Sequence, residues 1–304
     1  MLEKIVPPQL VDAIERLNYS SLQEIRLRVN KPTVVMMNGK SYYLGTSGLV
    51  NERKKAYFCD ADDLQNILLQ ASNHSLYAIN EQLKQGFVGL NDGIRLGVTG
   101  QVVSENGKLV TMKNFSGINV RIPHEIKGFG EKIIDLLFEN DRFLNTLIIS
   151  PPAVGKTTLL RDLIRIISGQ FYAKKVLVVD ERNELSATIN AKSQMDLGDF
   201  SDVVVDSTKE FGFYNGIRSM NPDIIATDEI GSQADCNVLE YAGTCGVKIL
   251  ATIHAENLEQ LKNKIQLEKI LKLKIFERFV FLKKVAGMPE IAEVLDRNFE
   301  KIFW

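Results

Sequence analysis

The sequence predicts an α/β fold in which a mostly parallel, helix-covered sheet follows a smaller α+β domain, and three observations carry that expectation. Short runs rich in β-branched residues at 146–149, 176–179, 203–205, 224–227 and 247–252 alternate with stretches of helical spacing, as buried parallel strands do. Residues 22–29 instead alternate, with Ile25, Leu27 and Val29 on one side and Glu24, Arg26 and Arg28 on the other, the pattern of a half-buried strand. Between these textures lie residues 123–130, where Pro123, Gly128 and Gly130 give a hinge composition. The expected division is therefore an α+β domain over 1–122, a hinge over 123–130 and the larger α/β domain over 131–304.

In order along the chain, Asn38-Gly39 between the apolar runs 33–37 and 41–44 predicts a tight hairpin. Asp60 ahead of Leu64, Ile67, Leu68 and Ala71 predicts a capped amphipathic helix, and Leu76, Ile79 and Leu83 before Gly86 predict a second. Both would cover one sheet face. Residues 93–103 and 108–112 flank Asn106-Gly107, a second hairpin signal, and Ile118, Val120 and Ile122 alternate with Asn119 and Arg121.

The second half contains a stretch with a chemical reading. Leu147-Ile148-Ile149 leads through Ser150-Pro151-Pro152-Ala153-Val154-Gly155 into Lys156-Thr157-Thr158, after which Leu159, Leu160, Leu163, Ile164 and Ile167 fall at helical spacing. Strand, loop and helix in this order make a phosphate-binding loop. Backbone N–H groups at a helix start surround phosphate oxygens, Lys156 adds charge, and the Thr157 hydroxyl reaches Mg²⁺. Residues 150–158 are thus the expected nucleotide-contacting segment.

Ligands of open α/β sheets sit at the carboxyl ends of the strands, and several polar groups fall there. Asp228-Glu229 follow the run 224–227: Asp228 would hold Mg²⁺ through water, and Glu229 would orient or deprotonate the attacking water. Asp180-Glu181-Arg182 follow 176–179 and are expected to add carboxylates to the metal and water site, while His254 ends the run 249–253, where an imidazole meets the terminal phosphate. Arg218, and Arg26, Arg28, Arg95 and Arg121 in the first domain, are candidates to neutralise charge on a transferred phosphoryl group. Of the first-domain four, Arg28 and Arg121 lead because they fall in strand patterns. His74 and His124 read as structural.

Bulk properties narrow the function classes. With 37 basic against 38 acidic residues in 304, the net charge is -1, and no Lys/Arg-rich tract is visible, so nucleic acid is not an expected partner. Cys59, Cys236 and Cys245 are far apart, which argues against a zinc site and suits a reducing compartment. No apolar run approaches a membrane span, and the first ten residues do not read as a signal peptide. A cytoplasmic protein that meets membranes through partners is the expectation.

These residues together carry a family resemblance. In the first half it rests on Glu24-Ile25-Arg26-Leu27-Arg28, Ser75-Leu76-Tyr77-Ala78, Gly93-Ile94-Arg95-Leu96-Gly97 and Asn119-Val120-Arg121-Ile122. In the second half it rests on the phosphate loop, Asp180-Glu181-Arg182, Arg218-Ser219-Met220, Asp228-Glu229-Ile230-Gly231 and Ala251-Thr252-Ile253-His254. Across nearly its whole length the chain resembles the stage III sporulation protein AA family, relatives of the hexameric secretion ATPases of type II and type IV systems. The resemblance implies an N-terminal sensing and assembly domain hinged to a RecA-like ATPase domain, with ATP and Mg²⁺ bound between them and subunits in a homo-oligomeric ring, a hexamer. It also implies membrane-protein partners in a channel complex that joins mother cell to forespore at the engulfment stage. The implied roles fall on Lys156 and Thr157 in the loop, on Asp228 and Glu229, and on His254 at the terminal phosphate.

Ser150 and Ala153 stand where the family has the glycines of Gly-Pro-Pro-Gly. Each is expected to cost on the order of 1–2 kcal/mol if left-handed backbone is needed there. The expected function is an Mg²⁺-dependent ATPase whose turnover rearranges a ring against a membrane partner. The competing reading is a nucleotide-binding or degenerate, non-catalytic ring scaffold of the same complex.

Overall fold

The computed structural model describes residues 2–90, 93–105, 108–123, 125–285 and 287–303. The chain divides into two compact units, residues 1–124 and 125–304. The first contains helices α1 (Val11–Glu15), α2 (Ala61–Ala71) and α3 (Asn80–Lys84). Its strands are β1 (Leu22–Arg28), β2 (Val34–Met37), β3 (Lys40–Gly45), β4 (Gly48–Val50), β5 (Phe87–Gly89), β6 (Arg95–Glu105) and β7 (Lys108–Arg121). Among the described residues they form one antiparallel sheet in the order β4-β3-β2-β1-β7-β6-β5.

Local chemistry accounts for these elements. Asn38 and Gly39 both take positive φ, 50° and 74°, as a two-residue hairpin turn requires. Asp60 and Asp63 cap each other's backbone N–H groups at the start of α2, which buries Leu64, Ile67 and Leu68. The second predicted helix is shorter than its spacing suggests: Leu76–Ile79 form a 3₁₀ turn and only Asn80–Lys84 are α-helical. Ser75 supplies no side-chain cap there, and Asn80 donates sideways to Val110 O of β7. The Asn106-Gly107 turn and His124 lie outside the described residues.

Register fixes where the first-unit arginines stand. Glu24 of β1 pairs with Arg121 of β7, which pairs with Arg95 of β6; Arg26 pairs with Asn119, and Arg28 with Gly117. Directly paired residues share a face, so all four arginines occupy one side while Ile25, Leu27, Leu96 and Val120 fill the core on the other.

In the second unit two 3₁₀ turns, Gly130–Lys132 and Ile134–Leu137, lead into a small pair, β8 (Phe138–Glu139) and β9 (Arg142–Phe143). Its main sheet comprises β10 (Thr146–Ser150), β11 (Val176–Asp180), β12 (Ser201–Val205), β13 (Ile224–Thr227), β14 (Lys248–His254), β15 (Arg278–Val285), β16 (Met288–Asp296) and β17 (Lys301–Ile302). The helices are α4 (Lys156–Ile167), α5 (Lys209–Met220), α6 (Gln233–Thr244), α7 (Leu258–Lys262) and α8 (Glu268–Lys272). Strand order is β12-β11-β13-β14-β10-β15-β16-β17, parallel from β12 to β15 and antiparallel thereafter.

Strands β10, β11, β13 and β14 are buried on both faces, which is why their sequences read as unbroken apolar runs, whereas the edge strand β12 is only partly buried. Leu147 and Ile149 face a cluster built with α5 and α6, whereas Ile148 faces one built with α4. One strand, β14, therefore separates β10 from β13 and lies between the two polar segments that follow them. Among the described residues no helix is long and apolar enough to cross a membrane.

Helix α5 approaches β11 more closely than a side chain allows. A Cβ at Gly212 would lie 2.6 Å from Val179 Cγ1 and 2.9 Å from its Cγ2. Gly212→Val is expected to lower stability by about 1–3 kcal/mol through overpacking, read as a lower urea midpoint with unchanged slope.

Candidate functional site

Ser150 closes β10 in register with His254, so its backbone is extended, and its buried Oγ donates to Pro151 O at 2.8 Å. Ala153 is different: its φ of 58° is left-handed. Gly155 follows at φ 115°, and a Cβ there would lie 2.7 Å from Pro289 Cβ of β16, so only glycine fits. Left-handed backbone is thus needed at Ala153 and not at Ser150, so the conditional backbone cost falls on Ala153 alone. Helix α4 starts at Lys156 without a side-chain cap, and Thr157 and Thr158 are half-buried in its first turn. Uncapped N–H groups at a helix start suit an anion.

Lys156 is buried, and its ammonium is taken up by the loop. Nζ donates to Ser150 O (3.1 Å), Ser150 Oγ (3.3 Å), Pro151 O (3.2 Å) and His254 Nδ1 (2.7 Å). Burial lowers the lysine's pKa to about 8, with Glu229 opposing the shift. While the lysine is charged, Nδ1 has to accept, which leaves the imidazole proton on Nε2. That atom lies 3.3 Å from Glu229 Oε1, and Glu229 Oε2 lies 3.3 Å from an Arg182 Nη. The Glu229 N–H donates to Thr252 Oγ1 at 2.9 Å, and the Ile230 N–H donates to Thr252 O at 2.8 Å. Thr252 and His254 are two apart on β14, so one strand face sets Glu229's backbone and meets its carboxylate.

The two Asp-Glu pairs that look alike in sequence differ in environment. Asp228 is buried, and its Oδ1 makes no hydrogen bond; burial pushes its pKa up to about 6, against the pull of Lys209. Asp180, also buried, is saturated. Its Oδ1 accepts from the N–H groups of Glu184 and Leu185, and its Oδ2 from those of Leu185 and Ser186 and from Ser186 Oγ. The expected metal or water role of Asp180 gives way to anchoring the 183–188 turn. Glu181 Oε2 lies 2.6 Å from Lys209 Nζ.

Arg218 is not brought to this edge. It is exposed in the last turn of α5, whose first residue, Lys209, meets Glu181, and a helix of 12 residues spans about 18 Å. Sequence reasoning missed Lys209, Thr252 and Pro289. The Thr208 cap places Lys209 at a helix start without marking its burial, and no local signal marks the other two.

The residues fit a nucleotide and its magnesium. Among the described residues no group of three or more His, Cys, Asp or Glu side chains converges on a metal. Thr157 and Asp228 offer two oxygens, a donor set suited to an ion that completes its shell with phosphate and water. The orphaned Asp228 Oδ1 is the buried acceptor such a shell would satisfy.

Comparison with known proteins gives the family and the fold. The sequence model of the family described as sporulation stage III, protein AA, matches residues 8–302. Stage III sporulation protein AA of Bacillus subtilis (strain 168) is 30% identical over 98% of this chain and 95% of its own length. The Legionella pneumophila ATPase DotB superposes with a TM-score of 0.58 at 17% identity, covering 91% of this chain and 77% of that one. The pilus retraction motor PilT with bound ADP gives 0.57 at 17% identity, over 94% and 82%. What is shared is the fold: a RecA-like α/β domain that follows an N-terminal domain in the chain.

Substitutions at two positions test the loops. Asp180→Ala strands three backbone N–H groups and is expected to cost about 3 kcal/mol in urea denaturation, with Asp180→Asn costing less. Ala153→Gly removes a left-handed alanine and is expected to raise stability by about 1 kcal/mol, measured the same way.

Proposed function

The chain belongs to the sporulation stage III protein AA family, and from that premise we propose that it is an Mg²⁺-dependent ATPase, working as a homo-oligomeric ring with membrane proteins of a sporulation channel complex. One observation carries the reading: Lys156, His254 and Glu229 stand in line at the carboxyl edge of β10, β14 and β13. Phosphate sensing and water activation then share a residue.

On this reading ATP's phosphates replace the Ser150 and Pro151 carbonyls as acceptors for Lys156, and the N–H groups at the start of α4 join it. Thr157 and Asp228 would hold Mg²⁺, which would neutralise phosphate charge. Once Lys156 turns to phosphate, His254 Nδ1 is released from it, and the imidazole can address the terminal phosphoryl group. Glu229, its backbone fixed by Thr252, orients water and accepts its proton.

The scaffold reading has a specific observation behind it. Lys156 is already satisfied by its own loop, which therefore closes without phosphate despite the strained φ of Ala153. Phosphate release separates the two. With Mg²⁺ and ATP, Glu229→Gln is expected to lose about 10²–10⁴-fold in turnover while still binding ATP, and Lys156→Ala to lose binding. Turnover of the unsubstituted chain no higher than that of Glu229→Gln, with unchanged ATP-dependent assembly in both, would establish the scaffold instead.

A further inference from the structure

One buried charge at the same edge has no part in the scheme above. Lys209 is 5% exposed, a rare state for an ammonium. It opens α5 immediately after Thr208, whose side chain caps the helix by accepting from the Phe211 N–H. Its Nζ lies 2.6 Å from Glu181 Oε2 and 3.9 Å from Asp228 Oδ1, the buried oxygen without a hydrogen bond. Lys209, Glu181 and Asp228 follow β12, β11 and β13, which are adjacent in the sheet, so the fold itself brings them together. Asp180 adds a third carboxylate at this edge, and burying such a group without a cation is costly.

We infer that Lys209 is a positioning residue for the metal-side carboxylates: it stands in for a cation beside Asp228 and opposes the entry of a free divalent ion. The inference rests on Asp228 being the magnesium-side carboxylate. An ammonium repels a divalent ion with twice the charge product by which it attracts Asp228, so a bare ion gains little at this site. A divalent ion carried by a triphosphate brings compensating negative charge and is admitted. The edge is thereby selective for the metal–nucleotide complex over the metal alone.

The test is Mn²⁺ binding to the nucleotide-free full chain, followed by the paramagnetic resonance signal of free Mn²⁺. Lys209→Gln, which keeps a donor for Glu181, and Lys209→Met are both expected to tighten Mn²⁺ binding about tenfold, by loss of that repulsion. Lys209→Arg keeps the charge and should bind like the unsubstituted chain. Lys175→Met removes the same charge at the other end of the strands, where its Nζ donates to Asn221 O before β13 begins, and should also change nothing. Circular dichroism melting identifies which variants fold. Equal Mn²⁺ affinity in folded Lys209→Gln and the unsubstituted chain, or equal tightening in Lys175→Met, overturns the inference. ATP turnover measured on the same preparations separates the two proposals. Turnover without the Mn²⁺ effect sinks this inference alone, and the Mn²⁺ effect without turnover sinks the ATPase reading alone.

Discussion

A buried ammonium has to find lone pairs, and Lys156 finds them in the loop that presents it. Two carbonyls, a hydroxyl and an imidazole nitrogen surround Nζ, and three of the four come from Ser150 and Pro151. The loop's curvature follows from this closure. Ser150 stays extended to continue β10, Ala153 and Gly155 bend left-handed, and α4 begins as soon as the lysine is placed. On the proposed reading, phosphate has to compete with contacts the protein already makes, so binding would exchange acceptors and not fill a void.

The strand order passes this constraint across the sheet. Because β14 lies between β10 and β13, His254 is the side chain that meets both the lysine of one loop and the glutamate of the other. Thr252 on the same strand takes the backbone N–H of that glutamate, so Glu229's main chain is held while its carboxylate remains partly exposed. A fixed backbone with a solvent-reachable head suits a group that must handle water.

Much of this was legible in the sequence, for physical reasons that also explain what was not. Strands buried on both faces leave unbroken β-branched runs, and the runs at 146–149, 176–179 and 224–227 became strands with ends shifted by at most one residue. The Asn38-Gly39 turn and the Asp60 cap were readable because their chemistry is local. The 76–83 pattern lacked a cap, and its helical periodicity yielded to a 3₁₀ turn and a side-chain bond to β7. Asp180-Glu181 and Asp228-Glu229 share the same local pattern. What distinguishes them is the turn at 183–188, whose N–H groups fold back onto Asp180 and leave nothing equivalent for Asp228. Lys209 looked like an ordinary surface charge because its burial depends on which strands become neighbours.

The contact between Gly155 and Pro289 ties the phosphate loop to the antiparallel hairpin of β15 and β16, far along the chain. A larger residue at 155 meets Pro289 and also has to hold a left-handed φ, so it is tolerated only if position 289 retreats and the loop backbone changes with it. The loop motif, usually treated as a portable local cassette, is in this protein a joint property of two distant segments and cannot be transplanted without its buttress.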